Sequence, residues 1–221
     1  MFSWVMVTDF GDSAGMVPAT VLLAAWLAAN RAWRHVALWC LGFGLLATLV
    51  AVSKIAFLGW GIGIQAIDFT GISGHTALAV SVLSVGALVS LNDRPRSVRL
   101  AGAALGALAG VAIGLSRLAL NLHSASEVAA GFVIGGALAL TFAASGRYAP
   151  TAYLRPALCG AALLACLALS HGQRAPSQEF LTRVALVLSG RQEPYSRNDW
   201  LTPPGAAART PVQAVLPAAS F

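Results

Sequence analysis

Two histidines, an arginine, a lysine and a glutamate fall in a pattern suited to holding an anion and moving a proton. Gly71-Ile72-Ser73-Gly74-His75 is followed, after an apolar stretch, by Ser116-Arg117, then His123 and Glu127, while Lys54 lies upstream. Each histidine stands at the predicted start of a helix, where unpaired backbone N–H groups and the helix dipole attract negative charge. Ser73 is placed to cap the first of these helices, turning the amides of Gly74 and His75 toward a ligand. Arg117 offers a planar fork that grips two oxygens of one anion, and Lys54 supplies a point charge. Each has a plainer reading alone: a histidine at a helix end is commonly interfacial, and a lysine near one snorkels. The set together is what points to an anion site.

Glu127 admits two roles. Four residues after His123, it shares a helical face with that ring. A carboxylate there accepts the Nδ1 proton and leaves Nε2 as a nucleophile. Ser124-Ala125-Ser126-Glu127 also reads as a capping box, with Glu127 closing back on the backbone of the cap. The histidine partner is the favoured role.

These groups sit in a chain that is 57% hydrophobic and only 10% charged, the composition of an integral membrane protein. Ionisable groups at a membrane boundary are usually there to be used. The first thirty residues do not read as a cleaved signal, because Asp9 and Asp12 stand where positive charge is wanted. A net charge of +6 is spread over short loops, which fits membrane orientation rather than nucleic-acid binding. Cys40, Cys159 and Cys166 all fall in apolar segments and read as buried thiols, without metal-ligand spacing.

About 20 apolar residues cross a bilayer, and six candidate spans appear near 13–29, 35–56, 74–91, 98–115, 126–145 and 152–170. The expected fold is an all-α polytopic membrane bundle of about six transmembrane helices. Alternation gathers Arg31, Arg34, Arg94, Arg96, Arg99, Arg147 and Arg155 on one side, which the positive-inside rule makes cytoplasmic. The 54–75 and 116–125 regions then share the outward face, although they belong to different interhelical connections. Gly102, Gly106, Gly110 and Gly114 recur every fourth residue, and Gly131 and Gly135 do the same. Both patterns predict faces where a neighbouring backbone approaches closely. Residues 1–171 read as the membrane domain and 172–221 as an extracytoplasmic tail. Within that tail, 177–190 read as an amphipathic helix lying on the outer membrane surface, and the Pro- and Ala-rich stretch from Thr202 as disordered.

The blocks resemble those of the type-2 phosphatidic-acid phosphatase superfamily, which also contains the vanadium haloperoxidases. Its members carry a Lys followed by Arg-Pro, then Pro-Ser-Gly-His, then Ser-Arg, five residues, His, three residues, Asp. Here the third block runs from Ser116-Arg117 through His123 to Glu127, differing only by one methylene in the carboxylate. The second reads Ile72-Ser73-Gly74-His75, without the proline. In the first, Lys54 fits, but Gly61-Ile62 stands where Arg-Pro belongs. Another group, such as an arginine from the tail, then substitutes, or the substrate is held differently.

The resemblance implies a lipid phosphatase needing no metal or other cofactor. His123 would form a phosphohistidine, His75 would protonate the leaving oxygen, and Glu127 would orient His123. Lys54, Ser73, Gly74 and Arg117 would bind the phosphate oxygens. It implies phosphatidate, phosphatidylglycerol phosphate or a polyprenyl diphosphate as substrate, at the extracytoplasmic face of a bacterial cytoplasmic membrane. Two alternatives stay open: a lipid phosphotransferase using the same histidine, and a non-catalytic membrane protein that binds or moves phosphorylated lipid.

Overall fold

The computed structural model describes residues 3–148, 155–173 and 175–200. Among them the chain is helical, apart from a short bridge between Ile64 and Phe69. The eight helices are α1 Trp4–Asp9, α2 Ser13–Ala29, α3 Trp33–Trp60, α4 Gly74–Ser90, α5 Arg96–Ala119, α6 Ala125–Ala144, α7 Pro156–Ser170 and α8 Ser177–Ser189. Four apolar stretches are long enough to cross a membrane: Trp4–Ala29, α3, α5 and α6. α4 and α7, at 17 and 15 residues, are apolar but shorter. Of the six expected spans, then, four meet the length of a bilayer crossing. The expected disorder beyond Thr202 lies outside the described residues.

α4 is the axis of the bundle. It packs against α2, α5, α6 and α7, and most of its side chains are buried. Small residues make this possible. A Cβ on Gly106 would lie 2.6 Å from the Leu83 carbonyl carbon, and one on Gly110 2.8 Å from the Val80 amide nitrogen. On the other flank, Cβ atoms on Gly131 and Gly135 would lie 2.7 Å and 2.6 Å from the carbonyl oxygens of Ser73 and Ala77. The every-fourth-residue glycines are thus helix seams that fix α5 and α6 against α4. With few large polar side chains available, close backbone packing is what holds such helices together in lipid.

α3 stands apart from this arrangement. It lies against α2, α6 and α8 but touches α4 only sparsely, leaving a gap between α3 and α4. Its outer side carries Leu41, Leu45, Leu49 and Val52, all exposed, as a lipid-facing surface requires. Cys40 is also exposed on this helix, whereas Cys159 is buried. The expectation of three buried thiols fails at Cys40 because α3 is covered by protein on one side only.

At the end holding most of the loop arginines, side chains close the bundle onto backbone carbonyls. Arg99 Nη2 donates to the Gly146 carbonyl at 3.1 Å and Arg147 Nε to the Asn92 carbonyl at 2.8 Å. Asn92 Nδ2 donates to the Tyr148 carbonyl at 2.9 Å.

Candidate active site

At the opposite end, the gap between α3 and α4 opens into a cavity of about 540 Å³. Lys54 from α3, Gly74 and His75 from α4, Arg117 from α5 and His123 from the α5–α6 turn all line it. Two of these positions differ from the sequence reading. Lys54 and Arg117 sit within helices, not in the connections beyond them. α3 continues past Lys54 through Ile55-Ala56-Phe57-Leu58 and stops at Gly61, whose left-handed φ of 69° ends the helix. α5 likewise runs to Ala119. Its end is a Schellman turn with Asn121 in the left-handed position (φ 54°). The amide of Asn121 returns to the Leu118 carbonyl at 2.9 Å and that of Leu122 to the Arg117 carbonyl at 2.9 Å. This turn reverses the chain so that His123 faces back toward Arg117's helix end.

Glu127 performs both of its possible roles at once. Its Oε2 lies 2.6 Å from His123 Nδ1 and also accepts the Ser124 amide at 3.1 Å, while Ser124 Oγ takes the Glu127 amide. Oε1 accepts both the amide of Thr70, at 2.8 Å, and its hydroxyl. The capping box and the histidine contact are compatible because a carboxylate offers two oxygens and about four lone pairs. Glu127 is fully buried. Because an ionised carboxylate only accepts, the His123 ring carries its proton on Nδ1, leaving Nε2 with a lone pair. Burial pushes the His123 pKa below its ordinary value, with Glu127 pulling the other way. The neutral ring is therefore the resting form near neutral pH.

Ser73 stands at the start of α4, yet its hydroxyl makes no cap. It is fully buried, 3.0 Å from Thr76 Oγ1, and its amide donates to the Glu127 carbonyl at 3.1 Å. Ser73 does not line the cavity; it ties the second motif to the third through the backbone, and Gly74 and His75 follow from that tie.

The structure also brings in groups that sequence reasoning had not assigned. The first apolar stretch breaks at Phe10-Gly11-Asp12, and Asp12 caps α2 by accepting the Ala14 amide at 2.8 Å. The break lets the chain run against the site, since a Cβ on Gly11 would meet Ile113 Cγ2 and lie 3.4 Å from His75 Cβ. Asp12 Oδ2 then stands 3.6 Å from His75 Nε2. Thr8 Oγ1 accepts from Arg117 Nη1 at 3.2 Å. The signal for Asp12 was present as an Asp directly before an apolar helix, a capping residue by type and place. Its approach to His75 had no local signature.

The tail contributes as well. α8 packs on α3, with Ala185 buried and Leu181 turned into the cavity, while Phe180, Val187 and Leu188 remain exposed. It packs along α3 and contributes Ser177, Gln178 and Leu181 to the cavity lining. Gln178 Oε1 accepts from Lys54 Nζ at 3.0 Å. Arg197 lines the cavity too, with Nε 2.9 Å from Asp68 Oδ1 and Nη2 2.9 Å from Glu127 Oε2. Asp68, for which the sequence suggested no partner, has one in this arginine.

Below the charged groups the cavity is apolar. Phe43, Ala47, Val50 and Ala51 of α3 face Val17 of α2 and Leu78 of α4. From Lys54 to Phe43 this limb runs roughly 16 Å along the helix axis at 1.5 Å per residue. One end of the cavity thus suits an anion and the other a hydrocarbon chain.

Residues 63–150 match the PAP2 superfamily. An uncharacterized 22.5 kDa protein in the cps region of Klebsiella pneumoniae is 31% identical over 202 residues, covering 89% of this chain and 97% of the relative. No solved structure gives a significant match.

Proposed function

The chain belongs to the PAP2 superfamily, and from that premise we propose that it is an integral-membrane lipid phosphatase. It removes phosphate from a lipid phosphomonoester or diphosphate through a phosphohistidine, at the extracytoplasmic face of a bacterial cytoplasmic membrane. The observation that carries this reading is the two-ended cavity: imidazoles and cations at its head, an apolar limb between helices below.

Depth supports a lipid headgroup in particular. α3 has 28 residues, about 42 Å at 1.5 Å per residue, which matches a bilayer including its headgroup layers. Lys54 lies roughly 9 Å below the end of that helix, near the level where headgroup gives way to hydrocarbon. A phosphate attached to a membrane-embedded chain reaches that depth without leaving the bilayer.

In the proposed reaction His123 Nε2 attacks phosphorus in line, forming an N–P bond as the bond to the lipid oxygen breaks. His75 gives its proton to that oxygen. Water then attacks the phosphohistidine, passing a proton to His75, and phosphate leaves with His123 restored. Glu127 holds the His123 proton on Nδ1 and balances the ring's positive charge in the adduct. Lys54, Arg117 and the Gly74 amide stabilise charge spread over the phosphoryl oxygens, the main requirement of such a transfer. Ser73 acts through the turn it anchors. Splitting one displacement into two is what a histidine nucleophile with a separate histidine acid provides.

The test is phosphate release from a panel of lipid phosphates and diphosphates by the purified protein, with His123→Ala beside it. Release by the wild type alone is the expected result; equal release by both removes the assignment.

A further inference from the structure

We propose that Arg197 is a third phosphate-binding cation of this cavity, delivered by the segment that follows α8. The inference rests on the phosphoryl-handling reading above and deepens it. Lys54 and Arg117 come from the helical bundle, whereas Arg197 reaches the same cavity from the tail. Its ion pairs to Asp68 and Glu127 engage Nε and Nη2. Nη1 takes part in neither, and a guanidinium has five N–H groups suited to planar oxyanions.

The segment around Arg197 is built to hold it there. Asp199 Oδ2 accepts the Ser196 amide at 2.6 Å and the Ser196 hydroxyl at 3.0 Å, closing a 3-10 turn over Arg197–Trp200. Trp200 meets Phe57 edge to face at 5.2 Å, and its carbonyl accepts from Gln65 Nε2 at 3.2 Å. On the other side, the Tyr195 amide donates to the Leu58 carbonyl at 2.9 Å. Arg197 is thereby fixed from both flanks to the last turn of α3 and to the 61–70 loop.

Gly61 is part of the same arrangement. A Cβ at that position would sit 3.2 Å from the Tyr195 ring, on a backbone with φ 69°. A side chain on residue 61 and the docked tail therefore compete for one space. This chain has no cation at residue 61, and the segment that fills the space carries Arg197 into the cavity.

The competing account is that Arg197 is only a tether between the tail and two carboxylates. The two are separated by equilibrium dialysis of radiolabelled inorganic phosphate against the full-length protein in detergent. Arg197→Ala should weaken phosphate binding about tenfold or more, the scale of losing a charge-assisted contact, and Arg197→Lys should fall between it and wild type. Asp68→Asn removes one tether partner and keeps a residue type that tolerates the left-handed φ of 50° at that site. It should bind phosphate as tightly as wild type or more tightly. Wild-type affinity in Arg197→Ala, or a loss in Asp68→Asn equal to that of Arg197→Ala, would overturn the proposal. Since the dialysis needs no turnover, failure of the hydrolase reading would appear separately, in the lipid phosphate-release assay.

Discussion

Asp12 Oδ2 stands 3.6 Å from His75 Nε2, so each of the two imidazoles in the cavity has its own carboxylate. Glu127 sits at hydrogen-bond distance from His123 Nδ1, while Asp12 faces Nε2 of His75. In the proposed reaction the first carboxylate fixes the tautomer of the attacking ring, and the second stands beside the ring that carries the proton.

Asp12→Asn should reduce turnover about tenfold, or ~1.4 kcal/mol in the barrier. Asn keeps an oxygen to cap α2. The loss should grow as the leaving alcohol becomes less acidic, because proton donation matters most there. Rates measured over a series of phosphomonoesters check this; a uniform loss would leave Asp12 with its capping role only.

Glu127→Gln should lower kcat by roughly 10²–10⁴, the scale of acid–base and orienting groups. Its NH2 group would face the donors of Thr70 if it took the place of Oε1, or those of Ser124 and Arg197 if it took the place of Oε2, so the thermal midpoint should fall as well. Trapping labelled phosphohistidine in an acid quench reads the first effect, and unfolding in detergent reads the second.

The pH dependence follows from His123. Burial lowers its pKa in the folded protein, so this ring, the proposed nucleophile, stays neutral as pH falls through about 6.5, the ordinary imidazole value. The acid limb of kcat/KM should lie below that pH. Stability moves the other way: between the folded and unfolded pKa values the unfolded chain binds more protons, so the folded state weakens as pH drops below about 6.5. His123→Gln should remove that part of the slope in a thermal-midpoint series.

Ala47→Phe, placed in the apolar limb, should raise KM for long-chain lipid phosphates and leave short-chain substrates nearly unchanged. Equal KM shifts for both chain lengths would show that the limb does not hold the hydrocarbon.

The helix seams predict a contrast between glycines. Gly106→Ala places a methyl against the Leu83 backbone, and forcing α5 off α4 should cost about 1–3 kcal/mol. Gly136→Ala meets nothing within 4 Å and should be neutral or stabilising by up to about 1 kcal/mol. Thermal midpoints of the two variants in one detergent make the comparison.

Much of the bundle was legible because its signals are local. Apolar runs located α2 to α7 within a few residues at most ends, and glycine periodicity marked the faces that meet α4. His123 and Glu127 could be paired from helical spacing alone. Arg117 lies within α5 because the Ser116-Arg117 pair does not by itself stop a helix; the end comes at the left-handed Asn121. The exposure of Cys40 depended on which side of α3 the protein covers. Asp12 and Arg197 escaped for a different reason. Each is a single charged residue whose partner lies on a distant element, and neither spacing nor hydropathy encodes such a meeting.

The start of α2 and the turn bearing Arg197 give the cavity walls from segments far apart in the chain. Ribosomal synthesis delivers the first before α3 to α7 and the second only after them. Until α8 and the segment after it arrive, Lys54 lacks Gln178 and the cavity lacks one side. A nascent chain whose α1 to α7 have already formed would thus hold an unfinished pocket, walled only when α8 and Arg197 follow.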